Sequence, residues 1–170
     1  MGSDNLPSAS HPAAVSRLGS ISNLQRREIQ APLAVCLIRE FTNEVGRERA
    51  MAAASSAVQK DATQAGRLQA EKYGGNSLSD LLRLVREVWA EQDALEFTLL
   101  EHTGQKLSFN VTRCRYAELY DRLGIKEFGC LLSCKRDAAL ITGFNPHMQL
   151  IHTQTIMQGA RFCDFRIMLE

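Results

Sequence analysis

The 170 residues are 45% hydrophobic and 23% charged, which fits one globular domain and argues against a disordered chain or a membrane-embedded one. Lys and Arg total 20 against 19 Asp and Glu, a formal net charge of +1, so the basic footprint of a nucleic-acid binder is missing. No stretch approaches the roughly 20 apolar residues that span a bilayer, and residues 1–22 lack a basic segment followed by an apolar run, so no secretory signal is expected.

Residues 1–22, rich in Ser, Ala, Asn and Pro, read as a flexible N-terminal arm, and residues 23–170 as a single α+β domain. A first helix is expected from about Leu24 to Val45, with Leu33, Leu37 and Phe41 at four-residue spacing and Gly46 as its stop. Pro32 implies either a kink or a true start near Ala31. Gln25-Arg26-Arg27 reads as a solvated face of this helix. The second helix, about Arg47 to Lys72, carries Ala50, Ala54, Ala57, Val58, Ala62 and Ala65 for close packing and ends at Gly74-Gly75. Asn76 or Ser77 caps a third, whose buried side is Leu78, Leu81, Leu82, Val85 and Trp89.

After Asp93 the period shortens to two. Leu95, Phe97 and Leu99, then Leu107, Phe109 and Val111, alternate with polar residues about a turn at His102–Gln105, which predicts a β-hairpin. A short helix follows at about Tyr116 to Leu123, then one from about Lys126 to Ile141 stopped by Gly143. Strands at about Met148 to Met157 and Phe162 to Leu169 close the chain. N-terminal helices thus precede a β-β-α-α-β-β unit, predicting an antiparallel sheet of about four strands packed on helices.

The chain has no Gly-rich phosphate loop, no Gly-x-Ser-x-Gly elbow, no His-Glu-x-x-His and no paired CxxC. Reactive side chains instead gather after residue 108. Arg113 and Cys114 stand where strand gives way to helix, a junction that can depress a thiol pKa; the alternative is a buried small apolar Cys and a surface Arg. Cys130, Cys134, Asp137 and Ile141 share one helical stripe, suiting either a nucleophile with a polar neighbour or core thiols with Asp137 paired to an Arg. Two thiols fall short of the four ligands of a closed zinc site, so no metal is expected. Cys163 faces the helices with Phe165 and Ile167, whereas Asp164 and Arg166 face the other way. Thr153 and Thr155 oppose His152 along the preceding strand, and a lone strand histidine is more often structural. The five cysteines form no dense framework; without a secretory signal they indicate reduced thiols and a cytoplasmic protein.

The run FNVTRCRYAELYDRLGIKEFGCLLSCKRDAALITGFNP, followed by LIHTQTIMQGARFCDFRIML, resembles the L-2-amino-thiazoline-4-carboxylic acid hydrolases. RREIQAPLAVCLIREF resembles the N-terminal part of that family, so the likeness covers about residues 24–169. It implies a hydrolase, classed with those acting on non-peptide C–N bonds of cyclic amidines, that opens a small ring to a carbamoyl-cysteine type of product. Such a reaction needs an activated water or thiolate, a donor for developing charge and a cation for the substrate carboxylate. Carried onto this sequence, the resemblance nominates Cys114, Cys134 and Cys163 as thiols and Asp137 or Asp164 as the proton handler. Arg113, Arg136 and Arg166 become carboxylate anchors, with Asn110, Tyr116 and Thr153 as further binding residues. It implies no cofactor, and a small, carboxylate-bearing substrate as partner. The C-terminal half is also similar, more faintly, to vinyl-reductase-type ligand-binding domains. That implies the alternatives of a non-catalytic small-molecule-binding module or a helper subunit, and a homo-oligomer through the N-terminal helices.

Overall fold

The computed structural model describes residues 21–170. Most of the expected arm therefore lies outside the described residues, but Ser22 is buried and caps the first helix. Helix α1, Asn23–Val45, opens with a capping box: the Gln25 amide donates to Ser22 Oγ at 3.3 Å, and the Ser22 amide donates to Gln25 Oε1 at 2.9 Å. It runs through Pro32 rather than starting beside it. Its apolar stripe at four-residue spacing does not face the core. Ala31, Val35 and Ile38 do, while Leu33, Leu37 and Phe41 are exposed by 66%, 49% and 55%.

Helix α2, Arg47–Tyr73, ends at Gly74, whose φ of 65° is left-handed. It packs against a later helix, α5 (Lys135–Phe144), through facing glycines. A Cβ on Gly66 would meet the Leu140 carbonyl and the Phe144 amide, and one on Gly143 would meet the Thr63 carbonyl. Gly143 is thus a contact inside α5 rather than its stop, and the two backbones approach closely because neither carries a side chain there. The helix ends instead at extended Asn145, ahead of Pro146.

Helix α3, Leu78–Leu84, is capped by Ser77 and runs into a π-helical turn, Val85–Trp89. Leu78, Leu81, Leu82, Val85 and Trp89 are all buried, as the sequence predicts. Strand β1 (Leu95–His102) and β2 (Lys106–Cys114) form the hairpin. Helix α4 (Arg115–Arg122) leads to a 3₁₀ turn at Lys126–Phe128. A second π-helical turn, Cys130–Cys134, then enters α5. Strand β3 is short, Met148–Ile151, and β4 is Cys163–Leu169. The segment expected to continue β3 to Met157 leaves the sheet instead: Thr155 caps a 3₁₀ turn at Ile156–Gln158. His152, Thr153 and Thr155 are therefore not strand residues.

The sheet is antiparallel throughout, in the order β1-β2-β4-β3. Its inner face (Leu107, Phe109, Val111, Cys163, Phe165, Ile167) packs on α3 and α5, with Phe109 and Phe165 stacked at 4.7 Å. A second apolar cluster joins Ala31, Val35 and Ile38 of α1 to Tyr116, Tyr120, Phe128 and Leu131. Among the described residues no helix is long and apolar enough to cross a membrane.

Candidate functional site

Between the two clusters lies a cavity of about 620 Å³, walled by α1, α2, the end of α3, the inner face of the sheet and α5. Leu84, Val88, Trp89, Val111, Leu140 and Phe165 give it apolar walls. Polar groups are as numerous: Arg27, Gln69, Cys114, Tyr116, Cys134, Arg136, Asp137, His152 and Cys163 are among them, with charged residues such as Arg26, Lys72, Glu87 and Glu91 also in the lining. The cavity's lining is polar and apolar in about equal measure, so it is more polar than the usual small-molecule site, which sets a few polar groups in an apolar wall. A shallower depression along α2, from Ser56 to Arg67, is built from one helix face and has no opposing wall.

Irregular backbone delivers several of these side chains. Along β2, Phe109 and Val111 point inward, so regular alternation would turn Arg113 inward too. A bulge intervenes: Glu96 pairs with Arg113 but the next residue, Phe97, pairs with Val111, leaving Thr112 as the extra residue. Thr112 and Arg113 are both exposed, and Cys114 turns into the cavity. Arg113 is held outside by Glu118 at 2.8 Å and Glu96 at 3.2 Å. Each π-helical turn ends on a lining residue, Trp89 in one and Cys134 in the other. The second also splits the expected stripe. Cys134 and Asp137 line the cavity, Cys130 lies 4.0 Å from Thr155 Oγ1, and Ile141 is in the core.

The thiols are poor nucleophiles as they stand. Burial pushes Cys114 up to about 12, against weaker opposition from the Ala117 and Tyr116 amides, so the helix start does not produce the depressed pKa expected there. Burial raises Cys163 to about 11 although the Ile156 amide donates to its sulfur at 3.2 Å, and Cys134 is raised by burial and then by Asp137. Asp137 differs in kind. It lines the cavity, and burial raises its carboxyl to about 7 despite the opposing pull of Arg136 and Arg27. Arg136 is itself buried and paired with Asp61 at 2.6 Å. Tyr116 donates to the Trp89 carbonyl at 3.3 Å and accepts from Asn23 at 3.0 Å.

A sequence model of the L-2-amino-thiazoline-4-carboxylic acid hydrolases matches residues 26–167. The chain belongs to this family. No curated relative matches the sequence. Solved structures are similar in fold at low identity. The phenol-responsive sensory domain of the transcription activator PoxR, solved with phenol, aligns over 82% of this chain and 73% of its own, at TM-score 0.52 and 14% identity. A trafficking protein particle complex subunit 3 from Naegleria fowleri, covalently bound to palmitic acid, aligns over 85% and 95%, at TM-score 0.54 and 13% identity.

In this hydrolase-family chain the cavity collects Cys114, Cys134, Cys163, Asp137, Tyr116 and Arg136 from the residues nominated by sequence. Five others sit elsewhere. Asn110, Asp164 and Arg166 lie on the opposite face of the sheet, where Arg166 donates to Asn110 Oδ1 at 2.8 Å and to the Phe109 and Phe165 carbonyls. Asp164 and Arg166 do not pair. Asp164 accepts from the Thr153 amide, the Thr153 hydroxyl and the Gln154 amide, tying down the chain after β3. Those bonds outweigh burial and hold its carboxyl below the usual range. Thr153 is consumed in that turn, and Arg113 is outside.

Sequence reasoning missed Arg27 and Gln69. Arg27, assigned to a solvated face, lines the cavity, where burial and then Arg136 lower its pKa. Gln69 gives no chemical signal in sequence beyond its place on an Ala-rich helix. His152 also lines the cavity, its ring tilted by 35° against that of Phe165 at 4.5 Å between centroids, and burial lowers its pKa against the pull of Asp164. Among the described residues, no group of three or more His, Cys, Asp or Glu has the arrangement of a metal site.

Proposed function

We propose that this family member is a hydrolase that opens a small, carboxylate-bearing cyclic amidine inside the cavity, with Asp137 as its proton-handling group. The observation that carries this reading is a carboxyl raised to about 7 within a cavity whose lining also includes the guanidinium groups of Arg27 and Arg136. A group titrating near neutrality both takes and returns a proton efficiently. Water adds to the carbon between sulfur and nitrogen while Asp137 takes one of its protons and passes it to the ring nitrogen. The tetrahedral centre then collapses: the carbon–sulfur bond breaks, its electron pair leaves on sulfur, and the hydroxyl proton moves to that sulfur. Opening at carbon–sulfur keeps both nitrogens on the carbonyl carbon, gives an N-carbamoyl product and frees a thiol; it breaks a different ring bond from the C–N class that the resemblance implies, whose opening would give the S-carbamoyl product instead. Arg27 and Arg136 suit the carboxylate; Arg136 already faces Asp61, which makes Arg27 the freer anchor.

The test is thiol release from 2-amino-thiazoline-4-carboxylate, followed colorimetrically. Wild type should release thiol, and Asp137→Asn should lose about 100-fold or more of the rate. Binding without release would favour the second reading, a non-catalytic small-molecule-binding module. That reading has its own support in the cavity's aromatic and aliphatic wall of Leu84, Val88, Trp89, Val111 and Phe165, and in a fold similar to that of a phenol-responsive domain.

We further propose that the chain self-associates through α1. Ile29, Leu33, Leu37, Phe41 and Val45 form one exposed stripe, each 47–67% accessible. Antiparallel pairing of two copies about Leu37 sets Ile29 against Val45 and Leu33 against Phe41, a self-complementary two-fold contact.

A further inference from the structure

The exposed row on α1 and the mouth of the cavity lie on one side of that helix. Arg26, Gln30, Leu33 and Leu37 follow at four-, three- and four-residue steps, which is one straight face of an α-helix. Arg26 and Gln30 line the cavity where it opens to solvent, and Leu33 and Leu37 are the middle of the apolar row. Across the opening, Asp61, Ala65, Leu68 and Lys72 repeat the same steps along α2. Leu68 is 53% accessible, an apolar side chain left to water at the rim. A body that covers the row on α1 therefore also reaches the opening.

The charges along α1 select how a second copy lies on it. Arg26 stands near the start of the helix, and Glu44, seven residues after Leu37 and on the same face, stands near its end. Glu28 and Arg39 are spent on Arg122 and Glu127, whereas Arg26 and Glu44 make no ion pair among the described residues. A parallel pair would set Arg26 against Arg26 and Glu44 against Glu44. The antiparallel pair centred on Leu37 instead sets Glu44 of the partner subunit opposite Gln30 and within a turn of Arg26. The apolar row and the order of charges thus favour the same register.

We propose that a second copy of the chain caps the cavity: the end of the partner's α1 lies over the mouth, with the partner's Glu44 against Arg26. The cap rests on the self-association through α1 and gives that contact a function. In the single chain the cavity is open between α1 and α2. A two-fold contact is the same in both directions, so one association closes both mouths. Small molecules enter and leave the separated chains, and association holds them in place. Closure also excludes bulk water, which strengthens the interaction of Arg27 with an anionic group inside.

Trp89 reports on the mouth without reference to any ligand, because it is the single tryptophan of the chain and lines the cavity. The probe is acrylamide, a small neutral quencher of its fluorescence. Wild type at a concentration where it sediments as a dimer is compared with the Leu33→Glu, Leu37→Glu variant, whose two changes lie outside the cavity lining. The Stern–Volmer constant should be several-fold larger in the separated variant at unchanged circular dichroism, and wild type diluted until it separates should show the same rise with no mutation. Arg26→Glu and Glu44→Arg should each weaken association several-fold by sedimentation, and the two together should restore it, because the reversed pair attracts again. Equal quenching in dimer and separated chains overturns the cap and leaves self-association standing, the mouth then being open, or covered from within the same chain, in both. A double reversal as weak as the single ones overturns the register and the cap with it. A wild type that sediments as a monomer at high micromolar concentration overturns the cap together with the self-association beneath it.

Discussion

Asp137 ionises in an enclosed space, which couples its charge to stability as well as to chemistry. Its folded pKa of about 7 lies above the ordinary 3.8, so the folded state keeps the proton longer than the unfolded chain does. Stability from this group therefore falls as pH rises from about 4 to 7, by up to about 4 kcal/mol at roughly 1.4 kcal/mol per unit. Asp137→Asn should be more stable than wild type at pH 8 and much less so at pH 5, read as urea midpoints at the two pH values. The rate of ring opening should climb with pH and level off above about 7, since water activation needs the ionised carboxylate; a profile flat from pH 5 to 8 would contradict this. The thiols make the opposite prediction. With Cys114 near 12 and Cys163 near 11, alkylation at pH 7.5 should proceed first at exposed Cys36, and Ser replacements of Cys114, Cys134 and Cys163 should each keep ring opening within a few-fold of wild type. The cavity's thiols and Asp137 were nominated because Cys and Asp announce chemistry by type, and Arg136 because it adjoins them; the same ground also nominated Arg113, Asp164 and Arg166, which lie elsewhere. Gln69 and Arg27 were not, because an amide or a guanidinium on a helix signals nothing until tertiary packing encloses it.

At the scale of elements, period and punctuation recovered the helices, the hairpin and the antiparallel sheet. The failures share one cause, backbone that departs from a regular repeat. The Thr112 bulge exchanged the facing of Arg113 and Cys114, and the π-helical turn at Cys130–Cys134 broke the stripe that a regular helix would present. The premature end of β3 moved His152 off the strand to which alternation had assigned it. Deleting Thr112 should restore regular alternation with Cys114 still inward and Arg113 still outward. Cys114 in that variant should therefore stay as slow to alkylate as in wild type. Gly143 was misread as a stop because a helix terminus and a close helix contact ask for the same residue. Gly143→Ala should cost about 2 kcal/mol or more in urea unfolding, since the clash is with the Thr63 carbonyl, a backbone atom that cannot swing aside.

At the scale of the whole molecule, the stripe on α1 faces outward rather than into the core. Four-residue spacing identified the helix correctly, yet periodicity alone does not say whether an apolar row meets its own core or another surface. Leu33→Glu with Leu37→Glu should convert a dimer into a monomer by light scattering while leaving the circular dichroism unchanged; a wild-type monomer at high micromolar concentration would contradict the proposed association. The facing glycines have a kinetic consequence as well. Gln69 and Asp61 stand on α2, Asp137 and Arg136 on α5, and the contact at Gly66 and Gly143 lets those helices touch backbone to backbone. With no side chain there to change rotamer, that seam is too stiff to part for a passing molecule. Traffic is left to the side where α1 meets α2, whose lining residues Arg26, Gln30, Leu68 and Lys72 are already open to solvent. The residence time of a bound molecule should then follow changes along that doorway and be indifferent to changes behind the seam.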